Sequence, residues 1–218
     1  MRDGIWRWGV GILLLTLTLG LALTDPAQAQ VVINELLADP GQDWNDDGEL
    51  DTKLDEWVEV CNMGSEAAHL TQYWVRDGLG EAVHLNLFGV IDPGQTAVFY
   101  GSHAVAWQLE NGAGSSGLSL NNGGDTVQLL RTDPENPDNL LVVDEKVYLG
   151  HEGAEDRACA RVPDGGIWSL FDGLNEYDGT DDPLGTGCDP TPGATNDCSE
   201  GTPVEDASLS RVKAAFQD

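Results

Sequence analysis

The amino-acid sequence predicts an all-β domain, either a sandwich or a barrel of short strands. Stretches rich in β-branched and aromatic residues recur between turns made of Gly, Pro, Asn and Asp. Several of these stretches alternate apolar and polar residues, which is typical of half-buried strands. No long amphipathic helix is expected before residue 205. Short strands in this number, without intervening helices, favour two packed sheets or a closed barrel.

The strand pattern is found in a series of segments along the chain. They are Val31–Leu37, Glu56–Asn62, Gln72–Arg76, Thr96–Tyr100, Thr126–Arg131, Leu140–Tyr148 and Ala158–Val162. Alternation is clear in the second segment, where Val58 and Val60 are expected to face away from Trp57. Strong turn signals stand at 92–94 and 122–125, so these positions are expected to connect strands.

Residues 1–29 have the pattern of a secretory signal peptide. Arg2 and Arg7 precede an apolar stretch over residues 10–23, and Ala27-Gln28-Ala29 follows it. A small residue, any residue and a small residue form the site that signal peptidase requires, so we expect cleavage after Ala29. The alternative is an uncleaved membrane anchor, but the stretch is shorter than the about 20 residues of a spanning helix. The sequence therefore predicts a secreted, periplasmic or cell-surface protein, without a membrane span after cleavage.

The charge of the chain is extreme. It has 10 Lys and Arg residues against 38 Asp and Glu residues, a formal net charge of −28. Cleavage removes Arg2, Arg7, Asp3 and Asp25, so the net charge of the mature chain is unchanged. Because affinity for nucleic acids is built from Lys and Arg contacts to phosphates, no nucleic-acid partner is expected. An acidic surface favours cations and solubility instead.

All four cysteines lie in the part of the chain that is expected to be exported. An even number in an exported chain predicts two disulfides, with three possible pairings. Cys188 and Cys198 are close in a Pro/Gly-rich stretch, and we expect them to pair locally. This leaves Cys61 with Cys159, a bond that would fasten two strands together. A zinc site is the weaker alternative, because no Cys-x-x-Cys spacing occurs.

An acidic stretch after the first predicted strand has the oxygen pattern of a calcium-binding loop. In such a loop, side chains one, three and five converge on the ion, a Gly permits the turn, and the carbonyl at position seven points inward. The template assigns as ligands the side chains of Asp43, Asn45 and Asp47, the backbone carbonyl of Glu49, and Asp51 directly or through water. Leu54 stands where the template has a bidentate Glu, and Asp55 and Glu56 follow it and would close the shell. The alternative is an acidic loop without an ion.

The order of several motifs resembles that of bacterial lamin tail domains. The segments concerned are Val32–Pro40, Asp55–Asn62, Leu70–Trp74, Ile91–Gln95, Leu118–Leu130, Arg161–Gly165 and Pro190–Asn196. The resemblance implies an immunoglobulin-like β-sandwich from about Val31 to Asn196. It also implies an accessory module of exported or surface proteins, sometimes found beside hydrolases. A similar acidic insertion between the first two strands is frequent in the family, and the cysteines depart from the family's pattern.

Nothing in the sequence indicates catalysis. The four His residues are scattered, and neither a Gly-x-Ser-x-Gly elbow nor a phosphate-binding Gly-rich loop occurs. The expected organisation is a signal peptide over residues 1–29, a lamin-tail-like β-sandwich over 30–196, and a linker with a short amphipathic segment over 197–218. In that last segment Leu209, Val212 and Phe216 have helical spacing.

Three functions are compatible with these features. The leading hypothesis is a non-catalytic extracellular structural or binding module, stabilised by calcium, that acts in surface assembly or adhesion with a protein or glycan partner. The alternative is a carbohydrate-binding or accessory module associated with a secreted hydrolase, with sugar contact through Trp44 or Trp107. The third is a hydrolase that uses the metal in catalysis. The sequence does not determine the oligomeric state.

Overall fold

The computed structural model describes residues 30–78, 80 and 82–198 of the chain. The expected signal peptide over residues 1–29 and the expected amphipathic segment beyond residue 198 lie outside the described residues. Within the described part of the chain, no helix is long and apolar enough to cross a bilayer.

Short strands and one α-helix form the described domain. In chain order the elements are β1 Val31–Leu37, β2 Trp57–Asn62, β3 Ala68–His69, β4 Tyr73–Asp77, β5 Val83–Asn86, β6 Val90–Ile91, β7 Thr96–Tyr100, α1 Gly101–Asn111, β8 Gly124–Thr132, β9 Leu140–Leu149, β10 Ala158–Val162 and β11 Ile167–Phe171. A single 3-10 turn over Leu70–Gln72 precedes β4.

Two antiparallel sheets pack face to face. The first has the strand order β11-β10-β1-β2-β7 and the second has the order β5-β4-β8-β9, while β3 and β6 form a separate pair. Leu36, Val58 and Phe99 of the first sheet and Val75 and Leu129 of the second lie in the common core. The structure therefore confirms the predicted all-β, immunoglobulin-like sandwich.

The outer face of the five-stranded sheet is buried as well. Every residue of β2 is buried, although its alternation predicted one half-exposed face. Trp57 lies on this outer face with Leu37 and Phe171, and Trp44 packs against them. The segment 188–198 crosses the same face, which explains why polar residues of β1 and β2 are also removed from water.

Helix α1 was not expected, because the sequence predicted strands without intervening helices and no long amphipathic helix before residue 205. Its buried residues are Gly101, Ala104 and Gln108, which are small or polar and give no apolar stripe that the sequence reveals. Gln108 Nε2 donates to the carbonyl oxygens of His84 at 2.9 Å and Gly117 at 2.8 Å. The helix is thus held on the sandwich by a buried amide more than by an apolar face.

The cysteines form one of the two predicted disulfides. Cys188 and Cys198 are bonded, as their spacing predicted. Cys61 and Cys159 are buried free thiols, so the predicted second bond is wrong. Their partners on β1 are four residues apart, about 13 Å along the strand. Moreover Cys159 packs between the two sheets, whereas Cys61 shares the opposite face with Trp57 by strand alternation, so no disulfide geometry is accessible.

A thiol count tests this arrangement. We expect two reactive thiols per chain in denaturant and almost none in the native protein, because both free cysteines are 0% exposed. Burial also raises the pKa of Cys61 to about 11, which suppresses the reactive thiolate. Cys61→Ser should remove one of the two thiols in a thiol-titration assay. A denatured chain without free thiols would contradict the pairing.

Candidate functional site

The acidic loop joins β1 to β2, and its first half is anchored at Trp44. Trp44 Nε1 donates to Asp156 Oδ1 at 3.0 Å, and Gly41 N donates to the same oxygen at 2.8 Å. The Trp44 ring lies 6.0 Å from the ring of Trp57. Asp156 N in turn donates to Asp39 O at 2.8 Å. The start of the loop is therefore fixed both to the β9–β10 connection and to the outer-face core.

The predicted ligands of the loop fold around a tight turn. Asp47 N donates to Asp43 Oδ1 at 3.1 Å and to Asn45 Oδ1 at 2.9 Å. Gly48 N donates to Asp43 Oδ2 at 2.8 Å, and Glu49 N donates to Asp47 Oδ1 at 3.0 Å. The side-chain oxygens of positions one, three and five thus accept hydrogen bonds from three consecutive backbone N–H groups of the turn.

Two left-handed residues make this turn possible. Gly48 has φ = 94°, which an L side chain rarely adopts, so the Gly of the template is required by the backbone. Asp46 has φ = 58°, and Asp is one of the few residues that tolerate this conformation.

Asp55 closes the loop from its other end. It is fully buried, and its two oxygens accept hydrogen bonds from Asn45 N at 3.0 Å and from Asp51 N at 2.8 Å. Asp51 Oδ1 accepts from the N–H groups of Lys53 and Leu54 at 2.8 and 3.0 Å, and these bonds hold the pKa of Asp51 below its ordinary value. The structure therefore brings Asp55 and Asp51 to the same loop as the first three predicted ligands.

Glu56 is placed differently from the other predicted ligands. Its Oε2 accepts a hydrogen bond from Leu120 N at 3.3 Å, in the connection between α1 and β8. Burial raises the pKa of Glu56 to about 8, so this carboxyl group is largely protonated at neutral pH. Within the described part of the chain, the Glu56 carboxyl group is thus bonded to that connection and not to the acidic turn.

The donor atoms of the predicted site are all oxygens. Among the described residues, no group of three His, Cys, Asp or Glu side chains lies close enough together to hold a metal ion. The carboxylates of Asp43, Asp47 and Asp51 accept hydrogen bonds from the loop backbone, and the amide of Asn45 and the carbonyl of Glu49 are the other oxygens that the sequence pattern assigns. An all-oxygen set of this kind, with few waters, is the chemistry that calcium prefers.

A second polar cluster lies on the outer face of the five-stranded sheet. Glu35 and Glu59 are cross-strand partners in β1 and β2, and both are 0% exposed. Thr191 N and Thr191 Oγ1 each donate to Glu35 at 3.0 Å, and Gly193 N donates to Glu59 Oε2 at 2.6 Å. These bonds satisfy the buried carboxyl groups and hold the segment 190–196 on the sheet.

Asn34 completes this cluster. It occupies a bulge of β1, and its Nδ2 donates to Glu59 Oε1 at 2.8 Å and to Asp164 Oδ1 at 3.0 Å. Asn196 N donates to Asp164 Oδ1 at 2.9 Å, and Asn196 Nδ2 donates to Asn34 O at 3.3 Å. Asn34, Asp164 and Asn196 belong to motifs recognised in the sequence, but the sequence did not predict that they are in contact. The sequence feature that could have indicated this cluster is the presence of polar residues inside the otherwise apolar strands β1 and β2.

The electrostatics of this cluster favour a proton on one carboxyl group. Burial raises the pKa of Glu35 to about 8, and repulsion from Glu59 and Asp164 adds to this rise. Burial raises the pKa of Glu59 as well. Two neighbouring buried carboxylates repel strongly when both are ionised, so the proton on Glu35 lets the pair lie together.

A comparison with protein families identifies this architecture. The sequence profile described as Lamin Tail Domain matches residues 24–145. The chain belongs to the lamin tail domain family. The matched region includes the acidic loop and both buried glutamates, whereas β10, β11 and the segment 190–196 lie beyond it. Neither curated proteins nor solved structures give a match.

The family is a structural, immunoglobulin-like one, which is compatible with the prediction of a non-enzyme. Three histidines of this lamin tail domain have structural partners. His103 Nδ1 accepts from Tyr100 N at 3.1 Å at the start of α1. His84 Nδ1 lies 3.2 Å from the carbonyl oxygen of Gly117, and His151 stacks on Tyr177 at 4.6 Å between ring centroids.

Proposed function

We propose that this lamin tail domain is a non-catalytic extracellular module whose first loop binds a structural calcium ion, and that it serves surface assembly or adhesion. The observation that carries the calcium proposal is the turn in which Asp43, Asn45 and Asp47 point their oxygens at consecutive loop N–H groups. This turn has both the ligand spacing and the required glycine of a calcium loop.

Charge within the loop supports a cation there. Residues 43–55 include six acidic side chains and a single basic one, Lys53. The backbone N–H groups stabilise these carboxylates by hydrogen bonding but carry no net charge. Repulsion between the remaining like charges is unfavourable, and a bound divalent cation offsets it.

Each loop residue has a defined part in such a site. Asp43, Asn45 and Asp47 would hold the ion through side-chain oxygens, Glu49 through its carbonyl, and Asp51 directly or through water. Asp55 keeps the two halves of the loop together through Asn45 N and Asp51 N. Its oxygens retain lone pairs, since a carboxylate accepts about four hydrogen bonds or ligand contacts in total.

Anchoring of the loop makes ion binding less costly. Trp44 and Asp55 fix both ends before an ion arrives, so less conformational entropy is lost on binding. Calcium sites of extracellular modules have dissociation constants of about 10⁻⁴–10⁻³ M. We expect the affinity of this loop to lie in that range.

The extracellular part of the proposal is supported by independent features. The Cys188–Cys198 disulfide is favoured in an oxidising compartment. The signal-peptide pattern over residues 1–29 and the net charge of −28 agree with an exported, soluble module. The structural, immunoglobulin-like character of the family supports a role in assembly or adhesion.

The alternative of carbohydrate binding is not favoured at the tryptophans on which it depended. Trp44 is bonded to Asp156 and packs beside Trp57. Trp107 is partly buried against the core between the sheets. Neither side chain offers the flat, exposed ring that stacking on a sugar requires.

Thermal unfolding of the full mature chain tests the calcium proposal. Calcium binds only the folded loop, so we expect the Tm to rise with free calcium and to fall in chelator. At 100 times the Kd the gain is about 2.7 kcal/mol, or about 5–10 °C for a domain of this size. Asp47→Ala should remove the calcium dependence.

The matched control is Asp138→Ala, which removes an equally exposed carboxylate in the β8–β9 connection. This variant should keep the full response to calcium. If the Tm of the wild-type chain is the same in calcium and in chelator, the loop binds no structural calcium. Catalytic turnover that persists through stringent purification would overturn the non-catalytic part.

A further inference from the structure

An open cleft lies beside β7, the outer strand of the five-stranded sheet. Its volume is about 600 Å³. Three parts of the chain line it. They are the β3–β6 region with Leu70, Phe88, Val90 and Ile91, the start of β7 with Thr96 and Ala97, and the later segment with Gly193, Ala194 and Thr195.

Two apolar side chains of this β7 cleft are exposed. Phe88 is 51% exposed and Val90 is 54% exposed. Phe88 is nevertheless fixed in place, because its ring lies 5.1 Å from Phe99 and 5.3 Å from His103 in edge-to-face contacts. An ordered apolar rim around a concave surface is typical of a binding site for an apolar side chain or segment.

The charge along the described lining of the cleft comes from a single acidic side chain. Of the described residues that line it, Asp164 is the one with an ionisable side chain. Asp164 belongs to the buried carboxyl cluster of Glu59 and Asn34. An apolar occupant that also carries positive charge therefore fits this cleft better than a neutral or acidic one.

The sequence of this chain contains such a segment beyond the described residues. Residues 207–216 place Leu209, Val212 and Phe216 at positions i, i+3 and i+7, the anchor spacing of a helix that binds in a groove. Arg211 and Lys213 stand among these anchors, in a chain whose net charge is −28. Apolar and basic residues are thus concentrated in a segment that complements the cleft.

The chain leaves the described structure close to the cleft. Thr195 lines the cleft, and the described residues end three positions later at Cys198, which is bonded to Cys188. Ten residues separate Cys198 from Leu209, and a flexible linker of that length spans about 17 Å. A tether of this kind gives an effective concentration of about a millimolar or more, so a weak contact is sufficient.

We propose that residues 207–216 dock in the β7 cleft of the same chain. In this arrangement Val212 and Phe216 contact Phe88 and Val90, and Arg211 and Lys213 lie beside Asp164. This interaction is independent of calcium and of the proposed function of the acidic loop.

Disulfide trapping in the full mature chain tests the docking. Gln95→Cys places a thiol at the cleft, and Gln217→Cys places one directly after the docking segment. The native free thiols do not compete, because Cys61 and Cys159 are fully buried. Under mild oxidation we expect the new pair to close within one chain, at a rate measured by mass spectrometry under non-reducing conditions.

The control keeps the same tether and the same two new cysteines. Val212→Ser with Phe216→Ser removes the apolar anchors, and we expect closure about tenfold slower, which then reports only the effective concentration of the tether. Arg211→Glu with Lys213→Glu should also slow closure. Equal rates with and without the anchors would overturn the docking. Crosslinks formed mainly between chains would overturn the placement within one chain and assign the cleft to a second copy.

Discussion

Trp57→Ala is expected to lower the free energy of unfolding by about 3–5 kcal/mol, the cost of deleting a large buried aromatic side chain. Trp57 is 0% exposed and belongs to the outer-face core with Leu37 and Phe171. Its ring also supports Trp44 at the start of the acidic loop. The same substitution should therefore weaken the response to calcium, since the loop loses an anchor.

Urea unfolding at saturating calcium measures this effect, and two variants control it. Trp57→Phe should lower the free energy of unfolding much less, because within the described residues the Nε1 of Trp57 makes no hydrogen bond that the substitution would remove. Ile167→Ala, at a side chain that is 81% exposed, should change the free energy by less than about 0.5 kcal/mol. A loss under about 1 kcal/mol for Trp57→Ala would show that the outer face is not a second core.

Stability is expected to fall as the pH rises from about 4.5 to about 8. Glu35 has a pKa raised from 4.5 to about 8 by burial, so in this window the folded chain holds a proton that the unfolded chain releases. The free energy of unfolding then decreases by up to about 1.4 kcal/mol per pH unit. Below the window both states are protonated and above it both are ionised, so this contribution to the slope vanishes. Glu56, raised to about 8 by burial, acts in the same direction.

Glu35→Gln should flatten this pH dependence, because a neutral amide keeps an acceptor for Thr191 and has no proton to lose. The comparison is made by chemical unfolding at several pH values and at saturating free calcium, so that calcium linkage stays constant. Glu110→Gln, an exposed position on α1, should leave the slope unchanged. An identical slope in the wild-type and Glu35→Gln chains would show that the buried pair does not titrate in this window.

The sequence predicted the bounds of three strands and missed several other elements. β1, β7 and β10 have the predicted bounds, because β-branched and apolar residues fill them between turn signals. β3 and β6 have two residues each, too few for any period to emerge. β11 was missed because Ile167–Phe171 does not alternate, and α1 because Ala104 and Gln108 form its buried side.

The turn of the acidic loop was predictable because the residues that form it are close in sequence. Spacing and Gly48 defined the turn, and the hydrogen bonds to Asp47 N and Gly48 N follow that template. Glu56 was assigned to the loop by proximity alone, and its carboxyl group turns instead to Leu120. Adjacency to Asp55 in the sequence therefore did not ensure a shared site.

Long-range pairs could not be read from spacing. The carboxyl cluster joins Glu35 to Thr191 and Glu59 to Gly193, and only the fold brings these segments together. The same reason explains the cysteines. Cys188 and Cys198 are ten residues apart and pair, whereas Cys61 and Cys159 are placed by the sheet on opposite faces.

Calorimetric titration of the full mature chain with calcium measures the proposed role of the loop most directly. One ion should bind per chain, with a Kd of about 10⁻⁴–10⁻³ M, and Asp138→Ala should bind as the wild-type chain does. Asp47→Ala should show no binding at the same concentrations. Absence of binding in the wild-type chain, or equal binding in Asp47→Ala, would contradict a calcium site at residues 43–55.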